Sequence, residues 1–323
     1  MMKRRVFLVV LHLLAHGVCH GQEPESYSRE FKRSLRDGAK AKVTVKVTDE
    51  LGNPVSNANI KVLFRMLSGP SDGERIRGAT DDNGLFAAEG RTTDTVFIGV
   101  EKTGYYPSRA QYNAQSLNPS RLKNGRWLPW NPTIPVVLKS GRKPTHMVLK
   151  YEHMRIPRFD APLGFDLEIH DWVAPDGKGK VIDMVVQFEN IGDSSPYRKL
   201  FVEFPGEMNG AYVRKKDDYS VLKSHYHAMT NGVYETRIEN SDGRRGPAHV
   251  LLSGGDYLVF RVRCKVDKHG KLISAQYGKI YGPFDYYVQS KNKMRLSTMF
   301  NPVENDTNLE FDGNGWDDAL FGR

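Results

Sequence analysis

The sequence predicts an all-β protein made of two β-sandwich domains that follow an N-terminal signal peptide. Apolar and polar residues alternate with a period of two in many short runs, such as residues 42–48, where Val43, Val45 and Val47 alternate with polar side chains. Clusters of turn-forming residues separate these runs, and the chain contains 30 glycines and 17 prolines. Alternation indicates half-buried strands, so we expect many antiparallel strands and few helices. A chain of 323 residues is long enough for two domains with separate cores.

Residues 1–21 have the layout of a secretory signal peptide. Three basic residues at positions 3–5 precede an apolar stretch at positions 6–15, which is too short to span a bilayer as a stable helix. We therefore expect cleavage near Gly21 and no transmembrane segment afterwards. The expected location is extracytoplasmic: secreted, in the periplasm or at the cell surface. Cys264 would then be the only cysteine left, which excludes an intramolecular disulfide.

The expected first domain covers residues 41–140. The polar, highly charged residues 22–40 before it leave two alternatives, a tether or a short helix that ends near Gly38. A first strand ends near Asp49, and turn residues at 49–54 lead into a second strand, so we expect a tight hairpin here. The inward face of that second strand is predicted to hold Ala58, Ile60, Val62 and Phe64. Further strands at 96–100 and 134–138 complete the domain before a linker at 141–144.

Three motifs lie within residues 41–139. They are Val-x-Asp-x-x-Gly-x-Pro-Val-x-x-Ala-x-Ile from Val47 to Ile60, Thr-Asp-x-x-Gly from Thr80 to Gly84, and Val-Glu-x-x-Gly-Tyr from Val100 to Tyr105. In this order the motifs resemble the carboxypeptidase regulatory-like (transthyretin-like) domain family. The resemblance implies a small seven-stranded sandwich that is attached to enzymes, adhesins or transporters and is not itself catalytic. Asp81 and Gly84 suit a turn that needs a positive φ.

The expected second domain covers residues 145–323 and also alternates in short runs. Its strongest signal is a pair of strands at 257–266 and 271–277, joined by the hairpin sequence Asp267-Lys-His-Gly270. Cys264 falls on the apolar face of the first of these strands, so we interpret it as a core residue and not as a nucleophile. We assign this domain to no family, and its function is left open.

Two groups of residues in the second domain suggest a metal site. Asp166, Glu168 and His170 are spaced two apart, which places them on one face of a predicted strand, and His225 and His227 form a similar pair. Two such strands side by side would offer Glu168, His170, His225 and His227 to zinc or a similar metal. The alternative is a solvated polar face and two loop histidines, and we expect no cofactor.

Acidic residues in the same region would also suit glycoside cleavage, which needs two carboxylates ~5–9 Å apart across a sugar cleft. The candidates are Asp160, Asp166, Glu168, Asp171 and Asp183. The sequence contains no Gly-x-Ser-x-Gly elbow and no phosphate-binding glycine-rich loop. We therefore expect no catalytic residues. A metal- or carboxylate-dependent hydrolase in the second domain is kept as the alternative function.

Trp127 and Trp130 are the candidate ligand-binding residues. They stand in a segment rich in proline and asparagine, residues 125–132, so we expect exposed rings that stack on sugars. The alternative is that both rings seal the junction between the domains.

The formal net charge of +9 is mildly basic, and the cationic residues are spread along the chain. This distribution predicts ordinary solubility charge, with some preference for anionic glycans, phosphate-bearing polymers or lipid headgroups, and no nucleic-acid partner. Together these observations predict a non-enzymatic extracytoplasmic protein, with a binding or structural role, that contacts a cell-surface polysaccharide or an envelope protein.

Overall fold

A computed structural model of the chain describes residues 27–66, 73–114, 118–190, 198–217, 219–239, 248–287 and 292–310. As predicted, these residues form an all-β protein, with one α-helix and one short 3-10 helix among them. The predicted signal peptide lies outside the described residues. Neither helix in the described ranges has the length and apolar composition of a membrane-spanning segment.

The first half of the chain folds as a sandwich of two sheets. Its elements are α1 (Arg29–Asp37), β1 (Ala39–Asp49), β2 (Asn59–Arg65), β3 (Gly73–Ala79), β4 (Leu85–Thr92), β5 (Thr95–Glu101), β6 (Ser108–Asn113), a 3-10 turn (Pro119–Arg121), β7 (Leu122–Lys123), β8 (Arg126–Trp127) and β9 (Thr133–Leu138). One sheet has the order β4-β1-β8-β7, with β9 parallel to β1, and the other has the order β3-β2-β5-β6. Apart from the two-residue strands β7 and β8, seven strands build this sandwich.

The core of this sandwich follows the predicted alternation. The side chains of Val43, Val45, Ile60, Val62 and Ile98 are buried between the two sheets. The side chains between them along each strand point outward, because successive residues of a strand face opposite sides of the sheet. The alternation therefore also identifies which side chains lie on the outward face of the β3-β2-β5-β6 sheet.

The turn after β1 is present, but the hairpin prediction is wrong. Asp49 Oδ1 accepts hydrogen bonds from the main-chain N–H groups of Leu51 and Asn53, and Gly52 has a φ of 85°. However, β1 and β2 lie in different sheets, so the chain crosses from one side of the sandwich to the other. Alternation identifies strands and their buried faces, but it does not identify pairing partners.

The predicted turn before β4 is confirmed. Asp81 Oδ1 accepts from the N–H groups of Asn83 and Leu85, and Gly84 has a φ of 71°. A Cβ on Gly84 would lie 2.3 Å from the carbonyl oxygen of Val47, which is closer than any real contact. Glycine is therefore required here both by conformation and by space.

The segment before β1 is a helix and not a free tether. Ser28 Oγ caps the helix by accepting from Phe31 N at 3.1 Å, and the helix stops at Gly38, whose φ is 75°. Phe31 is 1% exposed and packs edge-to-face on Trp127, with ring centroids 6.1 Å apart. The first core therefore includes α1.

The second half of the chain folds as a larger sandwich. Its strands are β10 (Val148–Arg155), β11 (Leu163–Asp166), β12 (Asp171–Trp172), β13 (Met184–Asn190), β14 (Arg198–Glu203), β15 (Gly210–Lys215), β16 (Arg237–Glu239), β17 (Ala248–Leu252), β18 (Asp256–Val266), β19 (Leu272–Tyr281), β20 (Phe284–Tyr287) and β21 (Lys293–Asn301). A seven-stranded sheet has the order β15-β18-β19-β21-β20-β17, with β10 paired to β21. A five-stranded sheet, β12-β11-β13-β14-β16, packs against it over a core that includes Phe165, Val186, Phe260 and Phe300.

The predicted hairpin between β18 and β19 is confirmed, since Gly270 N donates to Asp267 O at 3.0 Å. A β-bulge interrupts β18 between Val262 and Lys265, where Arg263 adopts a φ of 55°. Because a bulge shifts the alternation by one residue, Arg263 turns toward the core between the sheets, and Cys264 is half-buried on the other face.

The second face of the seven-stranded sheet is covered by loops. Lys279 is 1% exposed on this face, and its amine donates to Ser224 Oγ at 2.9 Å and to Leu309 O at 2.5 Å. Burial lowers the pKa of Lys279 to about 7. The same loops contact the first sandwich: Arg109 N donates to Tyr219 O at 2.7 Å. The predicted boundary at 141–144, as a boundary between independent folding units, stays a prediction.

Candidate functional site

The outward face of the β3-β2-β5-β6 sheet concentrates positive charge. Its cationic side chains, which we call the basic face, are Lys61, Arg65, Arg75, Arg77 and Arg109. They come from β2, β3 and β6. Arg65 is half-buried, and the other four residues are exposed. Because their inward neighbours on β2 are Ile60, Val62 and Phe64, packing of the core holds this face in place.

The strand register aligns these cations in rows. Arg77 lies opposite Lys61, Lys61 lies opposite Gly99, and Gly99 lies opposite Arg109, so one row crosses all four strands. Directly opposed residues have Cβ atoms only ~5 Å apart. The charges on this row are therefore close enough to act on one bound chain of anions.

The neighbouring row supplies apolar surface. Arg75 lies opposite Leu63, Leu63 lies opposite Phe97, and Phe97 lies opposite Gln111. Phe97 is 36% exposed, which is a large fraction for an aromatic ring on a sheet. An apolar ring between cations offers a surface on which the apolar side of a sugar can pack.

A surface depression of about 330 Å³ lies between the two rows. Its lining includes Lys61, Leu63, Arg77, Phe97 and Arg109, and its floor runs over Gly99. A Cβ on Gly99 would find no atom closer than Lys61 Cβ and Lys61 O, both at 4.0 Å, so the missing side chain leaves open space. Gly99 therefore keeps the centre of the row accessible.

Two carboxylates lie beside cations of this face. Lys61 Nζ lies 2.9 Å from Glu101 Oε1, and Arg65 Nη1 lies 3.6 Å from Asp94 Oδ2. Both side chains of the Lys61–Glu101 pair are more than half exposed, so the pair is weak and readily exchanged for another anion. Arginine guanidinium groups on the same face can bind a carboxylate or sulfate through two parallel hydrogen bonds.

The sequence prediction missed the basic face. Its residues are dispersed between positions 61 and 109 and form no cluster along the chain, so the charge looked evenly spread. A usable signal was present on β2, where Lys61, Leu63 and Arg65 alternate with the correctly predicted inward residues. The meeting of β2 with β3 and β6, however, depends on long-range pairing that alternation does not reveal.

Trp127 does not form a sugar platform. It is 1% exposed, its indole N–H donates to Thr92 O at 2.7 Å, and its ring lies against Phe31. The expectation of an exposed Trp127 is corrected, because β8 turns this ring into the first core. Trp130 is half-buried, with the guanidinium carbon of Arg126 4.8 Å from its ring centroid.

The predicted metal ligands do not come together. His170 Nδ1 lies 2.8 Å from Thr298 Oγ1 on one face of the seven-stranded sheet, whereas His225 Nδ1 lies 2.5 Å from Tyr257 OH on the opposite face. Glu168 pairs with Arg263, and His227 Nδ1 lies 3.4 Å from Thr307 Oγ1. No group of three or more potential ligands capable of holding a metal exists within the described part of the chain.

The strand predicted across Asp166, Glu168 and His170 is also wrong, because β11 ends at Asp166. Asp166 Oδ1 accepts from the N–H groups of Glu168 and Ile169, and His170 N donates to Asp166 O at 2.8 Å. These bonds fold residues 166–170 into a tight turn. His170 is 3% exposed, and its burial, together with nearby Lys150, lowers its pKa to about 4.

Three of the five acidic residues proposed for glycoside cleavage, Asp166, Glu168 and Asp183, instead surround Arg263. Its guanidinium contacts Asp183 at 2.9 Å and Asp166 at 3.2 Å, and it also pairs with Glu168. Burial raises the pKa of Asp183, although Arg263 opposes that change. Asp166 is buried too, but main-chain N–H groups and Arg263 outweigh burial and lower its pKa. This arrangement anchors the 166–183 loop to β18, and these three carboxylates share one counter-ion instead of facing each other across an open cleft.

No protein-family model matches the chain, and no curated protein matches it in sequence. One similar solved structure is the 3-chlorocatechol 1,2-dioxygenase from Rhodococcus opacus 1CP, with 12% identity, 32% of this chain and 61% of that chain covered, and a TM-score of 0.25. The chain thus spans less than two thirds of that enzyme. The shaft pilin from Lactobacillus rhamnosus GG has 11% identity, 57% and 95% coverage and a TM-score of 0.23. A streptococcal ancillary pilin has 12% identity, 85% and 64% coverage and a TM-score of 0.22.

These similarities are too low to carry any statement about activity or partners. The resemblance of residues 41–139 to carboxypeptidase regulatory-like domains is compatible with the observed sandwich. Without a matching family model, it stays a prediction.

Proposed function

We propose that this chain is a non-enzymatic extracytoplasmic protein that binds an anionic cell-surface polysaccharide through the basic face. The observation that carries the proposal is the row of Arg77, Lys61, Gly99 and Arg109, with an open depression at its centre. Carboxylate- or sulfate-bearing sugars supply the anions. Phe97 and Leu63 beside the row supply the surface for the sugar rings.

The dimensions of the face favour a polymer over a small anion. Neighbouring strands are ~4.8 Å apart, so a row across four strands extends over about 14 Å. A single phosphate or carboxylate would contact only one end of such a row, whereas a polysaccharide chain would contact all of it. The predicted export of the protein places this face where anionic polysaccharides occur.

The alternative function, a hydrolase in the second domain, loses its basis in the residues that suggested it. The candidate metal ligands lie on opposite faces of a sheet, and the candidate carboxylates Asp166, Glu168 and Asp183 share Arg263 as a counter-ion. We therefore propose one function for the chain and place its site in the first sandwich.

Removing two charges from the central row is expected to weaken binding of dextran sulfate about tenfold. Lys61→Gln with Arg77→Gln deletes two exposed ionic contacts, each worth ~0.2–1 kcal/mol, and about 1.4 kcal/mol corresponds to a factor of ten in affinity. The measurement is titration calorimetry at an ionic strength of about 0.1 M, where the Debye length is about 10 Å, with uncharged dextran as a parallel ligand.

The matched control is Lys268→Gln with Lys271→Gln, which removes the same net charge from the exposed β18–β19 hairpin. This control is expected to change the affinity less than threefold, because screening limits the effect of distant charges. Equal losses in the two double variants would reduce the interaction to net charge and would refute the proposed site. Strong binding of uncharged dextran would refute the requirement for anions.

A further inference from the structure

Among the described residues, strand β10 forms a long open edge of the seven-stranded sheet. Its eight residues pair continuously with β21, from Val148 opposite Phe300 to Arg155 opposite Lys293, without a bulge. Within the described residues no strand pairs with its other side. Natural edge strands are usually blunted by short length, bulges, proline or charged side chains. β10 is long, unbulged and free of proline, and two of its charged residues, Lys150 and Glu152, have opposite signs.

The direction of the free main-chain groups follows from two hydrogen bonds. Ile156 N donates to Asn292 O on the β21 side, so even-numbered residues of β10 point toward β21. Arg155 O instead accepts from the indole N–H of Trp172 at 2.9 Å, as expected for an outward group. The N–H and C=O groups of Leu149, Tyr151 and His153 therefore face away from the sheet.

Two other sheet edges, those of β6 and β15, are covered. The edge of β6 is bonded to the second half of the chain, since Arg109 N donates to Tyr219 O and Val221 N donates to Pro107 O. The edge of β15 exchanges two hydrogen bonds between Ala211 and Glu235. By contrast, β10 has three outward-facing residues, Leu149, Tyr151 and His153, whose main-chain groups form no hydrogen bond within the described structure.

The side chains of β10 are complementary to a second, antiparallel copy of the same strand. If a two-fold axis passes through Tyr151, each Lys150 lies opposite the Glu152 of the other copy, and each Val148 lies opposite a Met154. No ion pair occupies Lys150 or Glu152 in the described structure, and Tyr151 is 45% exposed. A two-fold axis through Ile76 of the edge strand β3 would instead place Arg75 opposite the Arg77 of the other copy. These like charges would repel each other.

We propose that two copies of this chain associate through antiparallel pairing of β10 about Tyr151, which joins their seven-stranded sheets into one. Three opposed pairs (149 with 153, 151 with 151, and 153 with 149) supply about six main-chain hydrogen bonds. Two Lys150–Glu152 ion pairs fix the register. The contact is small, so we expect a dimer with a dissociation constant in the micromolar range. This interaction is independent of the basic face.

Sedimentation equilibrium of the purified chain from about 1 to 200 µM tests this association. The wild type is expected to change from monomer to dimer over that range. Lys150→Glu alone and Glu152→Lys alone are each expected to weaken the dimer at least tenfold, because they oppose like charges. The combined exchange, Lys150→Glu with Glu152→Lys, is expected to restore the wild-type constant.

Tyr151→Pro provides a second test that leaves the fold intact. Its missing N–H would face outward, so the pairing of β10 with β21 keeps its bonds, while pairing with another copy is blocked. The expected result is a monomer with an unchanged melting temperature. A wild type that stays monomeric at the highest concentration overturns the proposal, as does a dimer that neither the two single charge variants nor Tyr151→Pro weakens.

Discussion

Replacing Trp127 with alanine is expected to destabilise the first sandwich by about 3–5 kcal/mol. The side chain is 1% exposed, and it packs against Phe31 of α1. Truncation would leave a cavity between the two sheets and the helix, and these elements cannot move together to close it. It would also remove the indole N–H from Thr92 O, which would then be a buried carbonyl without this donor.

Trp130→Ala is the matched control, and urea unfolding followed by circular dichroism is the measurement. Trp130 is half-buried beside Arg126, and the loss there is expected to stay below about 1 kcal/mol. Equal destabilisation by the two substitutions would contradict the assignment of Trp127 to the core. Dextran sulfate binding by folded Trp130→Ala is expected to match the wild type, since this ring is not part of the basic face.

Replacing Arg263 with methionine is expected to cost about 3–5 kcal/mol of the free energy of unfolding at pH 7. Asp166 and Asp183 are each about 1% exposed, and Arg263 is the cation that contacts both. Removing it would leave buried carboxylates with only main-chain donors. The guanidinium also lies over the ring of Phe300, 4.9 Å from its centroid, and methionine would keep part of that packing.

The cost of Arg263→Met is expected to fall as the pH is lowered from 7 to 4. Burial already raises the pKa of Asp183 in the folded protein, and losing Arg263 would raise it further. The folded variant would therefore take up a proton at a pH where the unfolded chain does not, and this uptake stabilises it at low pH. A penalty that is independent of pH would contradict a buried charge at Asp183.

Arg237→Met is the control for this substitution. Arg237 also contacts three carboxylates, those of Glu189, Glu203 and Glu239, but its side chain is 40% exposed. Exposed pairs contribute little, so a loss below about 1 kcal/mol is expected. The difference between the free energies of unfolding lost in the two variants measures how burial changes the contribution of an arginine with three carboxylate partners.

The sequence predicted the features that depend on neighbouring residues. The turn at Asp81 and Gly84 and the hairpin at 267–270 are present, because aspartate side-chain bonds and glycine conformations are local. The buried face of β2 is also as predicted. Period-two alternation gave the all-β fold correctly, and this result holds for both sandwiches.

Features that depend on distant residues were not predictable in this way. The chain between β1 and β2 has the composition of a hairpin turn, yet the strands pair with β4 and β5 instead of with each other. The bulge in β18 turns Arg263 toward the same side as Phe260, whereas uninterrupted alternation would place the two side chains on opposite faces of the strand. Asp166 ended a strand through its own side-chain bonds, which separated the residues proposed for a metal site.

The basic face also depends on pairing between residues that are distant in the sequence. Lys61 and Arg109 are distant in the sequence, but both lie beside Gly99 once β2 and β6 flank β5. A count of charges along the chain therefore predicted dispersed solubility charge. The candidate site became visible only from the register of four strands.

The most direct test of the proposed binding site is to map it by amide chemical shifts during titration with a short sulfated dextran oligosaccharide. The largest shifts are expected at Lys61, Leu63, Phe97, Gly99 and Arg109. The hairpin at 267–270 and strand β10 are expected to remain unchanged. Saturable shifts confined to the β3-β2-β5-β6 sheet would support the proposal, whereas the largest shifts at the hairpin, or small shifts spread over all exposed cations, would contradict it.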